Sequence, residues 1–117
     1  MRIMLLIYNN DATAAEWSGP RGPELQAAHR TLLDELAASG ELVQSSELAP
    51  EDACVVVKRP DSPITVDPVA TDSGVDRLGG YYLVDVPSRE RAIEIASRLP
   101  EIRTSYVELR HVPMPAS

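Results

Sequence analysis

Apolar and polar positions along the chain fall into short blocks with two different periods. Arg2–Tyr8, RIMLLIY, is an almost unbroken apolar run of strand length and predicts a buried strand. The polar NND that follows predicts a turn. Gly19, Pro20, Gly22 and Pro23 then predict a loop over residues 12–23. From Pro23, placed at a first helical position, the period lengthens. Leu25, Ala28, Leu32 and Leu36 recur at helical spacing with Leu33 beside them, and Gly40 supplies the stop.

Strand signals return after Gly40. Glu41–Leu48 predicts a strand, and the Val-rich Ala53–Arg59 predicts a buried one. Pro60-Asp61-Ser62-Pro63 predicts a turn, with Ile64–Val66 as a short return strand. An acidic, irregular run holding Asp67, Asp72 and Asp76 predicts a loop feeding a strand over Gly80–Val86. Gly79-Gly80 precedes a strand rather than a helix, so it offers no helix N-terminus to a phosphate. A bulge or a close backbone approach is expected there instead. Ser88 is the expected N-cap of a second helix, RERAIEIASRL, with Ala92, Ile95, Ala96 and Leu99 as its stripe and Pro100 as its end. Thr104–Val112 predicts the last strand.

The order is strand, helix, strand, strand, strand, helix, strand. Two β-α-β halves predict an α+β ferredoxin-like sandwich with a short hairpin inserted in the middle, as one domain over residues 1–117. Alternation within strands sets Ile3, Leu5 and Ile7 against Met4, Leu6 and Tyr8. It sets Val55 and Val57 against Cys54 and Val56, and Tyr82, Val84 and Val86 against Tyr81 and Leu83. Both faces of the sheet are therefore apolar, and two helices cover only one. A second copy packed sheet to sheet is the simplest cover, so a symmetric homodimer is expected.

Composition narrows the function classes. The chain has 117 residues with 44% hydrophobic and 25% charged, no Phe and one Trp, so the core must be Leu, Ile, Val and Ala. The net charge of −7 argues against nucleic-acid binding and against anionic membranes, both of which need a basic face. A single cysteine, Cys54, allows no intrachain disulfide and fits a reducing cytoplasm; it is expected as a small buried hydrophobe. The N-terminal run lacks the h-region and cleavage site of a secretory signal. No segment approaches the roughly 18 apolar residues of a membrane span. A cytoplasmic location is expected.

His29 is the main candidate for chemistry. It sits four residues after Leu25 and three before Leu32, on or beside the core-facing stripe. Imidazole is the side chain whose ordinary pKa lies closest to neutrality, which suits a general base. Asp34 lies about 140° around the helix from it and is a poor partner. Tyr8 and Tyr81 combine a large apolar face with a polar tip and are candidate substrate-binding residues. Trp17 is expected either to pin its loop or to close over a ligand. His111 is expected to be structural. The spacing of histidines, cysteine and carboxylates gives no transition-metal site, and Asp67, Asp72 and Asp76 do not follow the EF-hand pattern.

Several segments resemble the YCII-related superfamily, and within it the branch named for a DGPF motif. They are MLLIY, HRTLLDELAASGELV, LGGYYLVDVPSRERAIEIASRLP and VELRHV, which together span nearly the whole chain. The resemblance implies a dimeric α+β barrel of ferredoxin-like subunits without a cofactor. Some members are encoded beside or fused to extracytoplasmic-function sigma factors, and a few related proteins are cofactor-free enzymes, including a dehydrochlorinase. In YCII-type members a His matching His29 pairs with an Asp just before the turn glycine. Here that position reads Ala38 or Ser39 ahead of Gly40, so the pair is broken. Asp67 matches the Asp of the branch signature and is a candidate substrate-binding residue on that ground. The Gly and Phe of the signature are missing. Two function classes remain open. One is a small-molecule-binding homodimer using His29 as acid/base in an elimination or isomerisation. The other is a non-catalytic regulatory module with a sigma factor as partner.

Overall fold

A computed structural model of the chain describes residues 1–69 and 74–113. The elements run β1 (Arg2–Asn9), α1 (Asp11–Ser18), α2 (Gly22–Ser39), β2 (Leu42–Glu47), β3 (Cys54–Val57), β4 (Thr65–Pro68), β5 (Arg77–Asp85), α3 (Arg89–Ser97), a 3₁₀ turn (Pro100–Arg103) and β6 (Val107–Val112). The main sheet has the order β2-β5-β1-β6, with each neighbouring pair antiparallel. β1 therefore runs parallel to β2, and β5 to β6. Each pair is joined by a helix across an intervening strand, which is the interleaved split β-α-β arrangement of a ferredoxin-like fold.

Alternation along β1 buries Ile3, Leu5 and Ile7 while Met4, Leu6 and Tyr8 stay half-buried. Tyr82 and Val84 are the buried set of β5, with Tyr81 and Leu83 opposite. The buried set packs on Leu32 and Leu36 of α2 and on Ala92 and Ile95 of α3, with Leu99 closing the core. Within the α2 stripe Leu25, Leu32 and Leu36 are buried, but Ala28 is exposed. Gly40 ends α2 at φ +81°, a left-handed conformation that costs glycine nothing. Ser88 caps α3 by accepting the Arg91 amide at 3.2 Å.

Three expectations are corrected. Residues 12–23 are not all loop, because α1 occupies Asp11–Ser18. Asn10 caps it: its Oδ1 accepts the Thr13 amide at 3.0 Å, and Thr13 Oγ1 accepts the Asn10 amide at 3.3 Å. The Gly and Pro residues of this stretch all fall after the helix. Second, the Val-rich strand is not in the main sheet. Among the described residues β3 pairs only with β4, as the expected hairpin, and the two form a separate two-stranded arm. Its side chains are largely exposed, with Val56 at 63%, and Cys54 is exposed rather than buried. Third, Pro100 opens the 3₁₀ turn instead of ending α3. The acidic run falls partly outside the described residues, including Asp72. No helix among the described residues is long and apolar enough to cross a membrane.

Candidate active site

Three elements bring three polar side chains to one end of the core. The α2 stripe, which buries Leu25 and Leu32, points His29 the same way. The strand parity that buries Val84 also turns Tyr82 toward α2. The 3₁₀ turn after α3 then presents Glu101, only 6% exposed, from the far side. His29 lies between the other two. Its Nδ1 is 2.7 Å from the Tyr82 hydroxyl, and its Nε2 is 2.7 and 2.9 Å from the Glu101 carboxylate oxygens.

An ionised carboxylate only accepts, so Nε2 carries a proton and donates it to Glu101. In the neutral imidazole Nδ1 then accepts the Tyr82 O–H. The network thus assigns the tautomer. Burial, and secondarily the Glu101 charge, push the Tyr82 hydroxyl well above its ordinary value, so it stays protonated. The His29 side chain is 18% exposed, which leaves one side of the line open. Trp17 stacks near the imidazole, with ring centroids 5.8 Å apart. Its helix is tied down by a 2.8 Å hydrogen bond shared between the Thr13 and Thr104 hydroxyls and by Asn10 Nδ2 donating to the Thr104 carbonyl at 2.8 Å.

The open side is a cavity of about 460 Å³ whose walls include Trp17, His29, Leu33, Ser45, Tyr82 and Glu101. That volume fits a small organic molecule. The arrangement offers a proton acceptor, a proton donor and a fixed carboxylate beside a largely apolar chamber. Among the described residues no group of His, Cys, Asp and Glu is placed to hold a metal ion.

The family model for the YCII-related domain matches residues 1–114. The chain belongs to the YCII-related domain family. No curated protein matches it. In this YCII-related chain only one of the residues expected at the site, His29, lies in the cavity wall. Tyr8 projects from the opposite sheet face, where its hydroxyl donates to Glu108 at 3.0 Å and its ring stacks on Tyr106 at 4.6 Å. Tyr81 shares that open face, opposite Leu6. Asp67 is exposed on β4 of the arm and does not line the cavity. His111 is exposed on β6.

Sequence reasoning missed Tyr82 and Glu101. The parity of β5 already put Tyr82 on the helix face. Glu101 had a weaker signal: it is a carboxylate in the first turn after a helix-starting proline, 72 residues from His29.

Proposed function

We propose that this YCII-related protein is a small-molecule-binding homodimer whose cavity performs cofactor-free proton transfer of the lyase or isomerase type, with His29 as acid/base. The observation that carries this reading is the hydrogen-bonded line Glu101–His29–Tyr82 ending in the wall of an open cavity.

The chemistry follows from the tautomer. A substrate carbon made acidic by a neighbouring carbonyl sits over the Tyr82 oxygen. Its C–H bond breaks toward that oxygen while the Tyr82 proton passes to Nδ1, and the electron pair moves into the carbonyl to give an enolate. The raised pKa of Tyr82 disfavours a free phenolate, so the hydroxyl works by passing its own proton to Nδ1 as it takes up the substrate proton. The imidazolium forms against the Glu101 carboxylate, which stabilises it as the paired acid does in other acid/base triads. Return of the proton to a different carbon gives isomerisation. Departure of a leaving group from the enolate gives elimination.

The second copy is assigned to the open sheet face, where Met4, Leu6, Tyr81 and Leu83 lie half-buried beside the Tyr8–Tyr106 stack. Sheet-to-sheet pairing would bury them.

The test is proton exchange in D₂O. A pool of small ketones, lactones and keto acids is incubated with the protein, and loss of acidic C–H signals is followed by proton NMR. Exchange of at least one component should fall by a factor of about 10²–10⁴ in His29→Gln. Exchange no faster than buffer for every component, with a folded protein, contradicts the reading.

A further inference from the structure

A second cavity, about 550 Å³, adjoins the first. Asn9, Trp17, Leu48, Pro50 and Gly79 line both, so the indole and the Gly79 backbone form a shared wall. Its lining among the described residues is mainly apolar, and its one charged member is Arg77.

A bulge puts Arg77 there. In the β1–β5 ladder Ile7 pairs with Gly80, but Tyr8 pairs with Leu78, so Gly79 is the extra residue. Without it Leu78 would stand opposite Asn9. With it, Arg77 takes that place. Glycine suits the bulge because a Cβ on Gly79 would overlap the Asn9 side-chain amide and force it to move.

The guanidinium at this position is under-used. Its Nη2 faces Asp11 Oδ1 at 3.7 Å, an ion-pair contact longer than a hydrogen bond. Its Nη1 is buried with no hydrogen-bond partner among the described residues, and so is Oδ1 of Asn9, the residue opposite it in the ladder. Buried donors of this kind are ordinarily paired. A carboxylate has the planar two-oxygen geometry that the guanidinium fork matches. A phosphate dianion would call for more donors than one Arg in apolar walls.

We propose that the two cavities form one cleft for a small organic carboxylic acid with a flat apolar body. Arg77 holds the carboxylate, the Trp17 indole supports the body, and the far end reaches Tyr82 and His29. The proton-transfer role of that far end rests on the function proposed above; the anchoring by Arg77 does not.

Trp17 is the only tryptophan in the chain, so its fluorescence reports on the cleft directly. The probe is 3-phenylpropionate, compared with 3-phenylpropionamide, which has the same shape without the charge. The acid should quench or shift Trp17 emission saturably and bind wild type about tenfold more tightly than the amide, the scale of a charge-assisted pair. Arg77→Gln should bring acid and amide to the same affinity, and Arg77→Lys should restore part of the difference. Equal binding of acid and amide by wild type overturns the proposal without any variant. So does the absence of saturation by the acid below about 10 mM. The two readings fail separately. Arg77-dependent acid binding without exchange in D₂O leaves the anchor and removes the relay. Exchange in D₂O with no acid preference removes the anchor and leaves the relay.

Discussion

Acidification should release a clamp that ties α3 to the turn after α2, the helix that carries His29. Arg91 of α3 grips Glu41, the residue just after Gly40, with two hydrogen bonds of 2.9 Å. Ser39 Oγ donates to the same carboxylate at 2.7 Å. These bonds, Arg91 first, lower Glu41 from an ordinary 4.5 to about 2. A displacement of that size sets a ceiling of about 3 kcal/mol of pH-dependent stability. Solvent reaches the pair, with Glu41 15% and Arg91 27% exposed, so screening reduces this to about 1–2 kcal/mol. The folded value lies below the unfolded one. The contribution is therefore complete above about pH 4.5 and is lost as pH falls toward 2. Urea unfolding of wild type and Glu41→Gln, followed by circular dichroism, measures it. At neutral pH the variant's midpoint should lie about 1 M lower, and the gap should shrink steadily below pH 4.5. A gap that is the same at pH 3.5 as at neutrality would refute the reasoning.

Three further perturbations probe the scaffold and the assembly. Gly22→Ala places a Cβ against the Trp17 backbone carbonyl, which no rotamer change can relieve. A net loss of about 1–2 kcal/mol and a melting temperature lower by several degrees are expected, after crediting alanine's better helix propensity. An unchanged melting temperature would mean that α1 and α2 separate easily. Asn10→Ala removes the α1 cap and the bonds to Asp76 and Thr104; it should cost about 1–2 kcal/mol in thermal unfolding, and a cost near zero would show that α1 does not depend on its cap. Leu6→Asp puts a charge in the open sheet face. Light scattering should give the mass of two chains for wild type and one for the variant, whereas a one-chain mass for wild type at micromolar concentration contradicts the homodimer.

Much of the fold was legible because local chemistry and tertiary context agree. Gly40 and Ser88 end and start helices as their backbone freedom and side-chain oxygen require, and the parity of β1 and β5 sorts core from open face. Where they disagree, the reading failed. Cys54–Val57 has the composition of a buried strand and pairs with its expected return strand, but the hairpin lies in an exposed arm, because a short apolar run does not specify what covers it. In α1, breakers clustered after Ser18 masked eight helical residues whose cap, Asn10, was the available signal. The site was half legible. His29 was marked by its stripe, but its acid was sought just before Gly40 and at Asp34, within the same helix. The partner comes instead from the 3₁₀ turn, a contact over 72 residues that periodicity does not encode. Tyr8 and Tyr81 were grouped with His29 although their parity assigns them to the other side of the sheet.

The relay depends on which nitrogen of His29 holds the proton. Long-range proton–nitrogen correlation spectra of ¹⁵N-labelled protein at mildly alkaline pH read this directly, with His111→Gln separating the two histidines. The account predicts the Nε2–H tautomer, with Nδ1 unprotonated and shifted by its hydrogen bond to Tyr82, and with that shift lost in Tyr82→Phe. A His29 found as the Nδ1–H tautomer, or an Nδ1 signal that Tyr82→Phe leaves unchanged, would contradict it.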